Sequence, residues 1–282
     1  MKNVIKSYEE YIKEHSYSLN ETNSTVDIPN TVEFIDNNEY SHMPIYQLDL
    51  SKNTKLTEIR IEAFSGCGIV ELKLPSSIDK IYKRAFVHNN IKHLDISNCI
   101  NLNEIEYSVF SDNRIEDLKL PNNIYIIYDY AFEENQIKKL DLSNCKKLSI
   151  IRDSAFSRNM IKELNLSGCD NLITICGNAF AENTIRDIKF PSVLKTIEET
   201  AFYKNQIEEI DLSQCDKLGR ILKDAFLDNP LEEIKILGNI EIEYDNYYKE
   251  DKWNKFARYY NDNNKTEGDY KLENYEWQWY PL

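Results

Sequence analysis

Six cysteines and four histidines are the residues of this sequence best equipped for metal binding or nucleophilic chemistry, and their spacing argues against both. Zinc sites draw on Cys and His at short, clustered intervals. No Cys-x-x-Cys occurs, and His15, His42, His88 and His93 are scattered. Four cysteines, Cys99, Cys145, Cys169 and Cys215, fall instead at one position of a recurring pattern, with Asn53 in the same place in an earlier unit. A small side chain there is expected to point inward and donate weakly to neighbouring carbonyls, so these thiols read as structural and reduced. Cys145 and Cys169 fall in adjacent units, where parallel Cβ directions align sulfurs poorly for a bond. Cys176 leaves the pattern and is expected to be the exposed, reactive thiol. The run Asn261-Asp262-Asn263-Asn264-Lys265 has calcium-binding residue types but lacks the alternating acids and distal Glu of an EF-hand, and reads as a turn. Phosphate loops, nucleophile elbows and kinase signatures do not occur. The expectation is a protein that is not an enzyme and holds no metal and no cofactor.

Acidic side chains are the remaining chemistry. The formal net charge is −14, which repels phosphate backbones and anionic headgroups and argues against nucleic acid as a partner. Hydrophobic residues at 41% and charged residues at 29% give a globular balance. No run approaches the roughly 18 apolar residues of a membrane span. Met1 leads into Tyr8-Glu9-Glu10 without an apolar stretch, which points to the cytoplasm if Met1 is the native start, and to a secreted or cell-surface protein if a signal was trimmed.

What positions these side chains is a repeat. Phe64, Phe86, Phe110, Phe132, Phe156, Phe180, Phe202 and Phe226 recur at steps of 22 or 24 residues, and seven of the eight follow alanine. Aligned on them, Leu48, Leu72, Leu94, Leu118, Leu140, Leu164, Ile188, Ile210 and Ile234 form a second column, each followed two residues later by another apolar residue. That alternation predicts short strands. Shorter units carry proline after the strand (Leu72-Lys73-Leu74-Pro75), and longer ones insert two residues (Leu140-Asp141-Leu142-Ser143-Asn144-Cys145). Val26-Asp27-Ile28-Pro29 begins a worn first unit. Units of this size cannot bury an apolar face alone, so neighbours must stack around one core.

The recurring Ile-x-x-x-Ala-Phe, then Asn, then Ile-x-x-Leu-x-Leu-Pro or Leu-Asp-Leu-Ser-x-Cys, resembles the BspA-like (Treponema pallidum-type) leucine-rich repeats over residues 26 to about 242. The resemblance implies protein binding and, in bacterial and protist members, adhesion at the cell surface. The expected fold class is α/β: a leucine-rich-repeat solenoid with short parallel strands on its concave side and short helical turns carrying Ala-Phe on its convex side. Residues 1–25 are expected to hold an N-terminal capping helix, with Val4, Ile5, Tyr8 and Ile12 on one stripe. Residues 26–242 form the solenoid. Residues 243–282 form an aromatic C-terminal cap holding Trp253, Trp277 and Trp279, with a helix at Trp253–Tyr260 and strands either side of Glu273-Asn274-Tyr275. This tail resembles a Trp-x-x-Phe…Gly-x-Tyr…Trp module that ends some spirochaete repeat proteins.

With only seven glycines, left-handed backbone positions must often be filled by Asn, and the column Asn89, Asn113, Asn135, Asn159, Asn183, Asn205 and Asn229 is expected to end each convex turn in that conformation. On the concave strands, the residues between the inward positions (Asp27, Asp49, Lys73, Asp95, Lys119, Asp141, Asn165, Lys189, Asp211, Lys235) mostly alternate in sign. The adjacent outward column does not: Glu71, Asp117, Glu163, Asp187, Glu209 and Glu233 accompany the single Lys139. These six acids are the candidate binding residues, and a basic protein is the expected ligand. The reading is therefore a non-catalytic interaction scaffold binding through its concave face. The alternative is an exported adhesin or antigen built on the same scaffold.

Overall fold

The computed structural model describes residues 25–282. The expected N-terminal helix lies outside the described residues. From Thr25, which bridges Gln47 in parallel, the chain winds as a solenoid with two rows of parallel strands. One row consists of β2 (Gln47–Asp49), β4 (Glu71–Lys73), β6 (His93–Asp95), β8 (Asp117–Lys119), β10 (Lys139–Asp141), β12 (Glu163–Asn165), β14 (Asp187–Lys189), β16 (Glu209–Asp211) and β18 (Glu233–Ile236). The other consists of two-residue strands: β1 (Phe34–Ile35), β3 (Glu58–Ile59), β5 (Lys80–Ile81), β7 (Glu104–Ile105), β9 (Ile126–Ile127), β11 (Ile150–Ile151), β13 (Thr174–Ile175), β15 (Thr196–Ile197), β17 (Arg220–Ile221) and β19 (Glu241–Ile242). β7 to β19 pair continuously as seven strands. The repeating isoleucine that ends each short strand is fully inward, as at Ile59, Ile127 and Ile197.

The α/β expectation is corrected here. Among the described residues the repeats contain no helix; each Ala-Phe segment is a run of β-turns. In one turn Ala85 N–H donates to Tyr82 O and Val87 N–H to Arg84 O, while the alternate amides reach the following turn, Arg84 to Tyr107 O, Phe86 to Val109 O and His88 to Ser111 O. A helix would spend every amide within its own segment; here alternate amides are spent on stacking.

Left-handed residues make this alternation. They sit immediately before the Asn column and four residues earlier, as at Arg84 (φ 60°) and His88 (φ 57°), or Ser154 and Arg158 (both φ 55°). The Asn residues themselves are not left-handed, and among the described residues only five of 22 non-glycine residues with positive φ are Asn. Both expectations about Asn are thus overturned. Each left-handed residue carries a steric cost of about 1–2 kcal/mol, and its inter-turn hydrogen bond helps offset it.

The buried Asn side chains do something else. Asn89 Nδ2 donates to Phe64 O at 2.8 Å while its Oδ1 accepts from Ile69 N–H at 2.9 Å. The same two bonds recur at every later member, ending with Asn229 on Phe202 O and Ile207 N–H. An amide that donates and accepts at once satisfies two backbone groups of the preceding turn that no water reaches. Cys67 holds this position in the first such turn and its thiol contacts Tyr40 O at 3.0 Å.

Inside, the phenylalanines form a stacked column from Tyr40 through Phe64 to Phe226, with adjacent centroids 5.1–5.7 Å apart. The chain then forms α1 (Lys252–Asp262), N-capped by Asp251, whose carboxylate accepts from Trp253 and Asn254 N–H. Strands β20 (Gly268–Glu273) and β21 (Glu276–Tyr280) form a hairpin, and β20 pairs antiparallel with β18. Trp253, Phe256, Tyr260 and Tyr270 are fully buried. Gly268 is required by this packing: a Cβ there would meet Trp279 Nε1 at 2.1 Å. The Asn261–Lys265 run closes α1 and turns into β20.

Candidate functional site

Alternation along the three-residue strands places one side chain inward and its two neighbours outward, so Leu72 is buried while Glu71 and Lys73 are exposed. Parallel register then aligns like positions of successive turns into columns. Lys139, Glu163 and Asp187 stand side by side on β10, β12 and β14, and Glu209 beside Glu233 on β16 and β18.

The column is interrupted, however. Strand pairing breaks between β8 and β10 and between β14 and β16, giving separate sheets. Both breaks follow a proline-bearing short unit. Long units add a bond beyond the strand, such as Leu142 N–H to Asn165 O or Leu212 N–H to Lys235 O; a turn with two residues fewer follows a different path to the next strand. Asp187 and Glu209 therefore face each other across a gap in the sheet. Over the first break lies a cleft of about 480 Å³, lined by half-buried Leu118 and Leu120 with Asp117, Lys119, Lys138 and Lys139. Sequence reasoning missed this cleft, and the signal was present in the alternation of 22- and 24-residue steps.

Neighbouring groups hold most of the six acids. Glu71 accepts from Gln47 Nε2 at 3.1 Å. Asp117 lies 2.8 Å from His93 Nδ1, and Glu163 lies 2.8 Å from Lys139 Nζ. The Lys139 ammonium, by hydrogen bond and then charge, holds the Glu163 carboxyl below its ordinary range. Glu233 is the most enclosed of the six, contacting Lys235 Nζ at 2.9 Å and Lys271 Nζ at 3.6 Å, and Lys235 lowers its pKa first, with Lys271 adding to it. Lys271 comes from β20, a contact no repeat pattern could reveal. Among the described residues Asp187 and Glu209 make no ion pair. The expected column of six acids is thus reduced to two carboxylates, Asp187 and Glu209, without a neighbouring side-chain partner among the described residues. In the other column the expected compensation occurs at Asp49–Lys73 (3.3 Å) and Asp95–Lys119 (3.1 Å).

The six cysteines are free thiols and all are buried. Cys99, Cys145 and Cys215 each point at a proline carbonyl of the preceding turn, Pro75, Pro121 and Pro191, at 3.5–3.7 Å, and Cys169 at Leu142 O at 3.2 Å. Asn53 reaches Ile28 O in the same way. Cys176 is buried rather than exposed, 6% accessible, and burial with the Glu198 and Asp153 carboxylates pushes its thiol up to about 12. The expected reactive thiol is therefore a poor nucleophile.

Stacked turns with inward Leu and Ile at a 22- or 24-residue period define a leucine-rich-repeat solenoid. The chain belongs to the BspA type leucine rich repeat region family, whose model matches in six copies over residues 35–162 and 149–266. Solved structures similar to it include a leucine-rich repeat protein from Bacteroides ovatus, at 20% identity over 78% of this chain and 74% of that one, with a TM-score of 0.43. The pneumococcal vaccine antigen PcpA is 17% identical over 83% of this chain and 87% of that one, with a TM-score of 0.39. A leucine rich cell surface protein from Faecalibacterium prausnitzii is 16% identical over 77% and 78%, with a TM-score of 0.34. No curated protein matches the chain. No helix of the described residues is long and apolar enough to cross a membrane.

Proposed function

We propose that the chain is a non-catalytic scaffold that binds a basic protein through the face of its three-residue strands. It comprises a cap (1–25), the solenoid (26–242) and an aromatic cap (243–282). The observation that carries the reading is that Asp187 and Glu209 lack, among the described residues, the ion pairs that Asp117, Glu163 and Glu233 make in the same column. The strands on either side fix their backbones, so only side-chain rotamers are ordered on meeting a cation. Their potentials add within a Debye length of roughly 8 Å at physiological salt. Each alone contributes little, so the effect falls on association rate more than on affinity.

A fluorescent oligolysine peptide tests this. Reversing Asp187 and Glu209 together to Lys should slow its association about tenfold at low salt and flatten the salt dependence. Reversing the exposed Asp170 and Glu199 instead matches the net charge and should have a far smaller effect. Equal losses from both pairs would reduce the attraction to net charge and remove the site.

The second reading is the same scaffold exported and displayed at a cell surface as an adhesin or antigen, favoured by membership of the BspA-type family. Protease accessibility of the chain on intact cells of its source would test it.

A further inference from the structure

Cys176 is the one cysteine that departs from the repeat, and its surroundings differ from those of the other five. Those five each point at a backbone carbonyl. Cys176 has no such acceptor, although it is as buried as they are. It follows β13 on the outward side of the two-residue strands. Glu198 holds the same position one turn later, after β15, and Asp153 lies one residue beyond that position in the turn before. The Cys176 thiol and the two carboxylates converge, with one ligand atom of each within 4.8 Å of the others.

Gly177 makes this convergence fit. Its φ is not in the left-handed region, so the backbone does not demand glycine there; equivalent turns carry Lys83, Tyr107 and Glu199. A Cβ on Gly177 would stand 3.2 Å from Asp153 Oδ1 and 3.3 Å from Glu199 O, tighter than ordinary contact. Glycine leaves the room that lets the Asp153 carboxyl lie against the thiol. The turns themselves are locked: Cys176 N–H donates to Ile151 O, Glu198 N–H to Ile175 O and Ser154 N–H to Gly177 O, at 2.9–3.0 Å.

Three groups that are anionic when ionised are thereby held together, and among the described residues no cation forms an ion pair with them. Arg152, whose charge bears on both Asp153 and Cys176, contacts Asp129 at 3.7 Å instead. Burial pushes the Asp153 carboxyl up, and the neighbouring Asp129 raises it further. Protonated, the Cys176 thiol donates to the Glu198 carboxylate; a divalent cation replaces that proton and draws the thiolate and both carboxylates to one centre.

We propose that Cys176, Asp153 and Glu198 form a binding site for a thiophilic divalent cation of the zinc class. One sulfur and two carboxylate oxygens suit a borderline-soft ion better than calcium or magnesium, which take oxygen alone. Tetrahedral bonds of about 2.0–2.3 Å set ligand atoms roughly 3.3–3.5 Å apart, and rotation of the exposed Asp153 side chain closes the remaining difference. Binding releases the thiol proton to solvent and leaves the fourth position to water. The three residues are 22 or 23 apart in sequence, far from any Cys-x-x-Cys spacing, which is why spacing alone pointed to no metal. The site is independent of the proposed interaction face.

The test is a titration of the reduced, chelator-stripped full chain with Co²⁺. A thiolate-to-cobalt charge-transfer band should grow and saturate at one equivalent, and Zn²⁺ should abolish it. Cys176→Ser should eliminate the band, whereas Cys215→Ser should keep it. Asp153→Asn should weaken binding, and Gly177→Ala by roughly ten- to a hundredfold, with the far-ultraviolet spectrum unchanged. No band at saturating Co²⁺, or a band that survives Cys176→Ser, overturns the site. If Cys176→Ser does not fold, unchanged affinity in Asp153→Asn overturns it equally.

Discussion

Phe226, the last ring of the repeat column, meets Trp253 of α1 with centroids 4.9 Å apart and planes tilted by 54°. The aromatic column, stacked within 12° through the repeats, ends there because the indole turns out of its stacking direction. One helix thus closes both the core and the end of the solenoid.

Trp253→Ala should cost about 3–5 kcal/mol, and the loss should be local because each turn contacts only its neighbours. Amide exchange should speed at Ile234 and Ile242 while the amide of Phe86 keeps its protection. Deleting residues 243–282 should go further, baring β18 as an edge and driving concentration-dependent association in sedimentation. A truncated chain that stays monomeric with an unchanged melting temperature would refute the capping role.

Asn159→Ala leaves Ile137 N–H buried without a partner and takes from Phe132 O one of its two side-chain donors, the other being Asn135 Nδ2 at 3.2 Å. The expected loss is about 1–3 kcal/mol. Asn159→Asp should do no better, since a carboxylate accepts from Ile137 but cannot donate to Phe132. Denaturant unfolding measures both, and the Ile137 amide should be the first to gain exchange.

The thiols titrate far above neutrality because burial disfavours the thiolate: about 11 for Cys99 and Cys145, about 12 for Cys67, Cys169, Cys176 and Cys215. At pH 8 a thiol of pKa 12 is about one part in ten thousand thiolate. The folded, metal-free chain should resist a thiol-disulfide reagent at that pH and yield six thiols in denaturant. Fast reaction of one thiol in the folded chain would identify an opening that the structure does not contain.

Asp224 is 4% exposed, and burial raises its carboxyl above the ordinary carboxylate range. A raised acid favours the folded state most below its unfolded pKa, and that advantage is lost as pH rises through the folded pKa. Asp224→Asn keeps an acceptor for Asn254 Nδ2 and suits the left-handed backbone there (φ 57°). Its melting temperature should exceed that of the parent at pH 7 by a few degrees, and the pH-dependent part of the gain should vanish below pH 3.8. A gain independent of pH would assign the effect to the backbone.

The sequence by itself determined the solenoid, its period and its inward columns, because stacking repeats one requirement at every turn. Phe64 to Phe226 and Leu48 to Ile234 are legible since each must fill the same space. It also marked Trp253 and Tyr260 as one helical face and Gly268 to Trp279 as a hairpin, through ordinary periodicity. What one turn does to the next was not legible. Whether Ala-Phe segments are helices or β-turns depends on amides bonding to the following turn, and whether Asn89 bends the chain or bridges it depends on Phe64 and Ile69 across the stack. The acid column looked continuous in letters, but the short units part β14 from β16 and Lys271 arrives from the cap to meet Glu233. Cys176 looked exposed because it broke the pattern. Only the stacking of three turns set it beside Asp153 and Glu198, since side chains about 22 residues apart become neighbours when parallel strands lie roughly 4.8 Å apart.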